Sequence, residues 1–261
     1  MISQQQIIDS HALIATTFKE FRSALLDAYG HTDHNRKTDN TVVTDFDVDI
    51  ETTLKKRLLQ QFPEFGFRGE ETDAVAGTNH ATWYVDPIDS TLSFIHGLPY
   101  CTNMAGLVVN GEIVASLIYD FITDELFTAF KGRGAYRNGE RIRVTNAELS
   151  DSCVFADAYS YKNAYSFFAP HDVKFYAPVG ASGYFFTRLA QGSIQGVCYL
   201  NANIKQHDVI PGALLVLEAG GEAVSFTEQP FDYQCQRFML GSKNISGLAT
   251  QYAAQLKSSA A

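Results

Sequence analysis

The sequence predicts a fold of the mixed α and β class. Helical periodicity dominates the start of the chain, two Asn-Gly pairs separate apolar segments in its middle, and beyond about residue 150 apolar runs alternate with helical patterns. We therefore expect an N-terminal α+β half, residues 1–145, that contains an antiparallel sheet. A C-terminal α/β half, residues 146–261, is expected to follow without an obvious linker.

Two amphipathic helices are predicted before the first strands. Between residues 3 and 29, apolar side chains recur at steps of three, four and seven: Ile7, Ile14, Phe18, Phe21 and Leu25. The same kind of spacing continues after a polar, turn-rich segment, in Val48, Leu54, Leu58 and Phe62, and a helix there is expected to end near Pro63. The polar segment between the two helices is a candidate functional loop.

Asn-Gly pairs predict the hairpins of the middle segment. Asn110-Gly111 lies between two apolar runs, and Asn138-Gly139 separates another pair of candidate strands. Both residue types tolerate the positive φ angles that tight hairpin turns require. Later segments such as SDSCVFADA and GVCYL are typical of strands, whereas GYFFTRLAQG and VIPGALLVLEAGG are typical of helices.

Composition and charge exclude several classes of function. The 261 residues are 46% hydrophobic, enough for a sizeable core, and the formal net charge of -9 argues against binding a polyanion such as nucleic acid. The four cysteines are scattered without CxxC spacing, so neither a disulfide framework nor a zinc site is indicated. No apolar run approaches the length of a membrane span, so we expect a cytoplasmic protein without a membrane partner.

The segment WYVDPIDSTLSF places Asp86 and Asp89 three residues apart, after what is predicted to be the end of a buried strand. Neighbouring carboxylates repel unless a cation lies between them, and Mg²⁺ prefers oxygen ligands. If Ser90 and Thr91 open a helix, their N–H groups form an anion site beside that metal. The alternative is that both carboxylates merely cap a turn, and for this segment alone that alternative is the better one.

Three more acidic residues are candidates for the same site. Glu70 follows an aromatic-rich segment and could lie at another strand end, although paired glutamates are usually solvated. Asp208 and Asp47 each precede or begin a helical pattern, where Asp most often caps the helix. Capping and metal ligation are compatible roles for both.

Four segments together resemble the signature regions of the inositol monophosphatase family, in matching order and spacing. They are VTDFD at 43–47, GEE at 69–71, DPIDST at 86–91 and HDVIPGALLVLEAGG at 207–221. The resemblance implies the αβαβα layered sandwich of the inositol monophosphatase and fructose-1,6-bisphosphatase type. It also implies a Mg²⁺-dependent phosphomonoesterase, two to three Mg²⁺ ions per site, sensitivity to lithium and a homodimer.

The resemblance also implies roles for individual residues. The expected metal ligands are Glu70, Asp86, Ile88 through its carbonyl, Asp89 and Asp208. The residues expected to activate the attacking water are Thr91 and Asp47, with Glu70 facing the water shell of a third ion. The residues expected to contact the substrate are Ser90, Thr91, Gly180, Ala181, Ser182, Asn201 and Asp208.

Several positions depart from the family's usual pattern. Leu92 and Ser93 replace the usual residues after the catalytic Thr, and Asn201 stands where inositol-specific members use Glu. His207 replaces a Trp, and a satisfied histidine is expected there rather than a ligand. Inositol monophosphate or a related sugar or polyol phosphate is the expected substrate. Histidinol phosphate, fructose 1,6-bisphosphate, a nucleotide 3'-phosphate and a regulatory protein of low activity stay open.

Overall fold

Local sequence signals set the ends of the first helices in the computed structural model, which describes residues 2–38, 40–157, 160–176, 181–200 and 204–258. The Ser3 hydroxyl accepts a hydrogen bond from the Gln6 N–H and caps the first helix. The helices are α1 Gln4–Ala28, α2 Asp45–Gln61, α3 Thr91–Ile95, α4 Tyr161–Phe168, α5 Ser182–Ala190, α6 Gln206–Glu218 and α7 Lys243–Ser258. The two long helices expected at the start of the chain are therefore confirmed.

Fourteen strands have described bounds. They are β1 Asn35–Arg36, β2 Val42–Val43, β3 Gly66–Arg68, β4 Ala81–Asp89, β5 Thr102–Val109, β6 Glu112–Asp120, β7 Glu125–Phe130, β8 Gly134–Arg137, β9 Glu140–Ile142, β10 Cys153–Ala156, β11 Lys174–Tyr176, β12 Gly196–Tyr199, β13 Glu222–Ser225 and β14 Phe238–Gly241. Asn110 and Asn138, each followed by a Gly of positive φ, turn the hairpins β5–β6 and β8–β9 in the left-handed conformation that the sequence predicted.

The strands form two large sheets. The first has seven strands in the order β3-β4-β5-β6-β7-β8-β9, antiparallel except for the parallel pair β3–β4. The second has five strands in the order β11-β10-β12-β14-β13, of which β10, β11 and β12 are parallel. The short pair β1–β2 lies in the candidate loop between α1 and α2.

Alternation along the strands places helices on both faces of each sheet. Trp83 and Val85 of β4 pack with the buried faces of α1 and α2, whereas Tyr84 between them packs against Ile210 of α6. In the five-stranded sheet, Phe155 and Val197 share a core with α5 and α6. The opposite face of that sheet packs against α4 and α7. The layers run helix, sheet, helix, sheet, helix, which confirms the expected sandwich.

The boundary expected between residues 145 and 146 falls between β9 and β10. Because α5 and α6 pack into the core between the two sheets, the division into two halves stays a prediction. All four cysteines are free thiols. Within the described ranges, every helix is too short or too polar to cross a bilayer.

Candidate active site

The DPID segment is the end of β4 itself. The strand was expected to end near Val85, but it continues to Asp89, with an irregular register between Asp86 and Asp89. Pro87 has no N–H to donate, so it is tolerated at such an irregularity. Its carbonyl accepts a hydrogen bond from Asn103 Nδ2 at 2.6 Å. Asp86 and Asp89 are consequently held inside the protein, only 2% and 4% exposed.

Asp47 and Asp208 occupy the same position in two different helices. Each is the third residue of its helix, α2 or α6, and its carboxylate accepts the N–H of the residue before the helix. The bond from the Thr44 N–H to Asp47 is 2.7 Å, and that from the Lys205 N–H to Asp208 is 2.9 Å. Asp208 therefore lies within the first turn of α6 rather than before it, and in both residues one carboxylate oxygen is engaged by the cap.

A buried carboxylate orders the loop that carries Glu70. Glu51 Oε2 accepts the N–H groups of Glu70 and Glu71, each at 2.8 Å, and Oε1 accepts the N–H and hydroxyl of Thr72 at 2.7 and 2.6 Å. A Cβ at Gly69 would lie 2.0 Å from this carboxylate, so only glycine lets the loop wrap so closely. The predicted GEE segment is thus folded around a residue of α2.

Carboxylates from three elements meet at the end of β4. Asp86, Asp89 and Asp208 each offer an oxygen, and these atoms lie within 4.8 Å of one another; the same holds for Glu70, Asp86 and His207 with its imidazole nitrogen. Asp86 Oδ1 is buried and has no hydrogen-bond partner among the described residues. Burial, and then the charges of Glu70 and Asp89, raise the pKa of Asp86 well above its usual range. Such a cluster of oxygen donors fits a hard divalent cation.

Asp89 is oriented by α5. Its two oxygens accept the N–H groups of Ser182 at 3.2 Å and Gly183 at 2.7 Å. Burial and the charge of Asp208 raise its pKa, against the effect of these two hydrogen bonds. Ser182 is expected to contact the substrate. In the structure its N–H donates to Asp89, and its hydroxyl lies 2.8 Å from the Tyr199 hydroxyl.

Thr91 and Asp47 form a hydrogen-bonded pair beside the carboxylates. The Thr91 hydroxyl lies 3.1 Å from Asp47 Oδ1 and 3.1 Å from the Ile88 carbonyl, which keeps a second lone pair for another contact. Burial raises the pKa of Asp47 to about 6, against the hydrogen bonds from Thr44 and Thr91. A carboxylate with a pKa near neutrality next to a hydroxyl is suited to general base chemistry.

The departures after Thr91 have local explanations. Ser90 takes the left-handed conformation with φ 64°, which a Gly would adopt without strain. Its hydroxyl donates a hydrogen bond to Ser93 Oγ at 2.7 Å. Ser93 is buried, whereas Leu92 is 53% exposed. α3 begins at Thr91, as expected.

Two basic or titratable side chains border the acidic cluster. Lys37 Nζ lies 2.9 Å from Glu70 Oε1 and 2.5 Å from Glu71 Oε1. Burial opposes the charge of Lys37, but the hydrogen bonds to the two glutamates outweigh it and raise its pKa. His207 Nε2 lies 4.0 Å from Glu70 Oε2 and 3.8 Å from Asp208 Oδ1.

Three more residues were expected to contact the substrate: Gly180, Ala181 and Asn201. Ala181 is buried and directly precedes α5. Gly180 and Asn201 lie outside the described residues.

Sequence reasoning missed two residues that support the site, Glu51 and Asn103. Glu51 had a signal, because it follows Asp47 by four residues and falls with Ile50 and Leu54 on the buried face of α2. A charged residue at a position whose spacing predicts burial needs partners. Asn103 lies within β5 and carried no such signal.

Known proteins resemble this chain over most of its length. The sequence model of the inositol monophosphatase family matches residues 4–259. The chain is 32% identical over 228 residues to inositol monophosphatase 2 of Solanum lycopersicum, with 79% of this chain and 82% of the relative covered. The crystal structure of extragenic suppressor protein suhB from Bartonella henselae superposes with a TM-score of 0.82 at 26% identity, covering 93% and 97% of the two chains. A Thermotoga maritima IMPase has a TM-score of 0.82 at 22% identity, covering 94% and 96%, and shows likeness of fold.

Proposed function

The chain belongs to the inositol monophosphatase family and is a phosphatase of that fold, and from this we propose that it is a Mg²⁺-dependent phosphomonoesterase acting on a small polyol or sugar phosphate. The supporting observation is the group of buried carboxylates at the end of β4, next to the Thr91–Asp47 pair. Asp86 and Asp89 are buried, and none of the described ion pairs includes either of them. Buried negative charge of this density is destabilising unless a cation compensates it.

The donor set fits the proposed ion. All the expected side-chain donors are carboxylates, from Glu70, Asp86, Asp89 and Asp208, and the buried Asp86 Oδ1 lacks a hydrogen-bond partner in the part of the chain that the structure describes. Oxygen ligands are those that Mg²⁺ prefers. When bound there, Mg²⁺ would neutralise the charge of a phosphate ester and lower the pKa of water.

The chain's own residues would position the reactants. The Thr91 hydroxyl and Asp47 Oδ1 would hold a water molecule, and Asp47 would take its proton, since a carboxyl with a pKa of about 6 is ionised at neutral pH. The N–H groups of Ser90 and Thr91, at the start of α3, would bind phosphate oxygens. Ser182 and Asp208 would border the alcohol part of the substrate. The resemblance also leads us to propose a homodimer and inhibition by lithium.

Release of inorganic phosphate tests the proposal. The wild-type chain would be assayed on inositol monophosphate, sugar phosphates, histidinol phosphate, fructose 1,6-bisphosphate and a nucleotide 3'-phosphate, with Mg²⁺ and with a chelator. We expect Mg²⁺-dependent release from at least one ester and a loss of about 10²–10⁴-fold in kcat for Asp47→Asn, the usual contribution of a general base. Asp49→Asn, an exposed change in the same helix, is the matched control. No metal-dependent release from any ester would show that the chain is not this enzyme.

A further inference from the structure

His207 lies in the acidic cluster, in the first turn of α6. Its side chain is 15% exposed, and one of its ring nitrogens lies within 4.8 Å of oxygens of Glu70 and Asp86. Nε2 is 4.0 Å from Glu70 Oε2 and 3.8 Å from Asp208 Oδ1. These distances are too long for hydrogen bonds and lie near the upper limit for an ion pair, so His207 and the two carboxylates border a shared space.

The spacing of these atoms fits two ligands of one ion. Nitrogen and oxygen donors bind a first-row divalent metal at roughly 2.0–2.2 Å, so two donors on one ion are at most about 4.4 Å apart. Both distances from His207 Nε2 fall below that limit.

The surrounding groups leave the required atoms available. Lys37 is bound to Glu70 Oε1, while the atom of Glu70 nearest to His207 is Oε2. The N–H of Lys205 is bound to Asp208 Oδ2, while the atom nearest to His207 is Oδ1. In addition, Asp86 Oδ1 is buried, and no described residue forms a hydrogen bond with it.

We propose that His207 supplies a nitrogen ligand beside Glu70 and Asp86, so that a first-row transition ion such as Mn²⁺ or Co²⁺ can bind at the position proposed for Mg²⁺. Imidazole is a better ligand for such ions than for Mg²⁺, which prefers oxygen donors. This inference rests on the proposed function and concerns which ions its acidic cluster takes; the sequence favoured a surface or satisfied histidine at this position over a ligand.

Electron paramagnetic resonance of Mn²⁺ bound to the full chain tests the assignment without measuring activity. A coordinated imidazole produces nitrogen modulation in the electron spin echo of Mn²⁺, and we expect it in the wild type. We expect His207→Gln to lose this modulation and to bind Mn²⁺ at least about tenfold more weakly, as metal sites usually do when a supporting ligand is altered. The Kd for Mg²⁺, measured by thermal shift, should change much less.

His171→Gln is the matched control, because His171 is exposed in the turn that follows α4. It should keep both the nitrogen modulation and the affinity for Mn²⁺. Wild-type protein that binds Mn²⁺ without nitrogen modulation would overturn the assignment, as would a modulation that persists in His207→Gln. The wild-type spectrum decides the question even if the variant does not fold, and failure of phosphate release would not alter it.

Discussion

Glu51→Gln is expected to disorder the Glu70 loop although it changes only one atom. The Glu51 carboxylate accepts four hydrogen bonds, from three successive N–H groups and the Thr72 hydroxyl, and it is fully buried. The glutamine oxygen can keep two of these bonds. Its NH₂ group can donate to the Thr72 hydroxyl, but it must also face the Thr72 N–H, which is itself a donor.

The cost follows from these contacts. One buried N–H loses its acceptor, which costs about 1–3 kcal/mol, and the retained bonds lose the contribution of a charged acceptor. Burial of a neutral group instead of a charged one offsets part of this loss. We expect a net loss of about 3 kcal/mol in the free energy of unfolding, or a fall in Tm of about 6–12 °C for a chain of this size.

Thermal and urea denaturation with and without Mg²⁺ measure the effect. The variant should lose stability and also show a smaller rise in Tm on adding Mg²⁺, because the Thr72 N–H that loses its acceptor belongs to the loop that carries Glu70. Thr72→Val, which removes the hydroxyl bond to Glu51 and a 3.4 Å contact from Lys55 Nζ, should cost about 1 kcal/mol. Glu112→Gln, on an exposed ion pair with Lys131, is the control and should be near neutral. A Glu51→Gln protein as stable as this control would refute the reasoning.

Three other changes have distinct signatures. Asp86→Asn should raise the Tm measured in chelator and abolish the rise caused by Mg²⁺, because two charges within 4.8 Å of each other repel by at least about 3.5 kcal/mol at an effective dielectric constant of 20. Since the folded pKa of Asp86 lies above its unfolded value, the gain should grow as pH rises above about 4, and a gain that does not change with pH would contradict this origin. Ser90→Gly should be about 1–2 kcal/mol more stable than Ser90→Ala in urea denaturation, because only glycine relieves the left-handed strain at φ 64°; equal stabilities would exclude strain there. Burial lowers the pKa of His11 from 6.5 to about 4, so this histidine does not reduce stability above pH 6.5. Between pH 6.5 and about 4 the unfolded chain binds a proton that the folded chain does not, and the free energy of unfolding falls by roughly 1.4 kcal/mol per pH unit. Urea denaturation between pH 4 and 7 should therefore show a flatter dependence for His11→Gln, and an unchanged slope would assign the loss to other groups.

Local signals predicted much of the fold. The period of Ile14, Phe18 and Leu25 in α1 needs only one helix with a buried face, and Asn110 and Asn138 need only their own φ angles. The end of β4 was placed too early, because the bond from Asn103 that holds the Pro87 carbonyl comes from another strand. The secondary-structure propensity of residues 83–89 carries no information about a hydrogen bond from Asn103 in the next strand.

Part of the candidate active site was also predictable from the sequence. Asp86 and Asp89 are close because they are three residues apart, so a shared role was predictable from the sequence by itself, and the resemblance of four segments added Glu70 and Asp208 from distant parts of the chain. The residues alone still left a capped turn as the better alternative for DPID.

Spacing and motifs along the chain are enough to predict the long helices, two hairpins and the family of this protein, because each can be recognised without knowing how distant residues pack. The bonds from Glu51 to the Glu70 loop and the position of His207 opposite Glu70 and Asp208 become known only in the folded chain. Hydrogen bonds and ligand geometry depend on distances of a few ångströms between side chains, and the packing of α2 and α6 against β4 sets those distances.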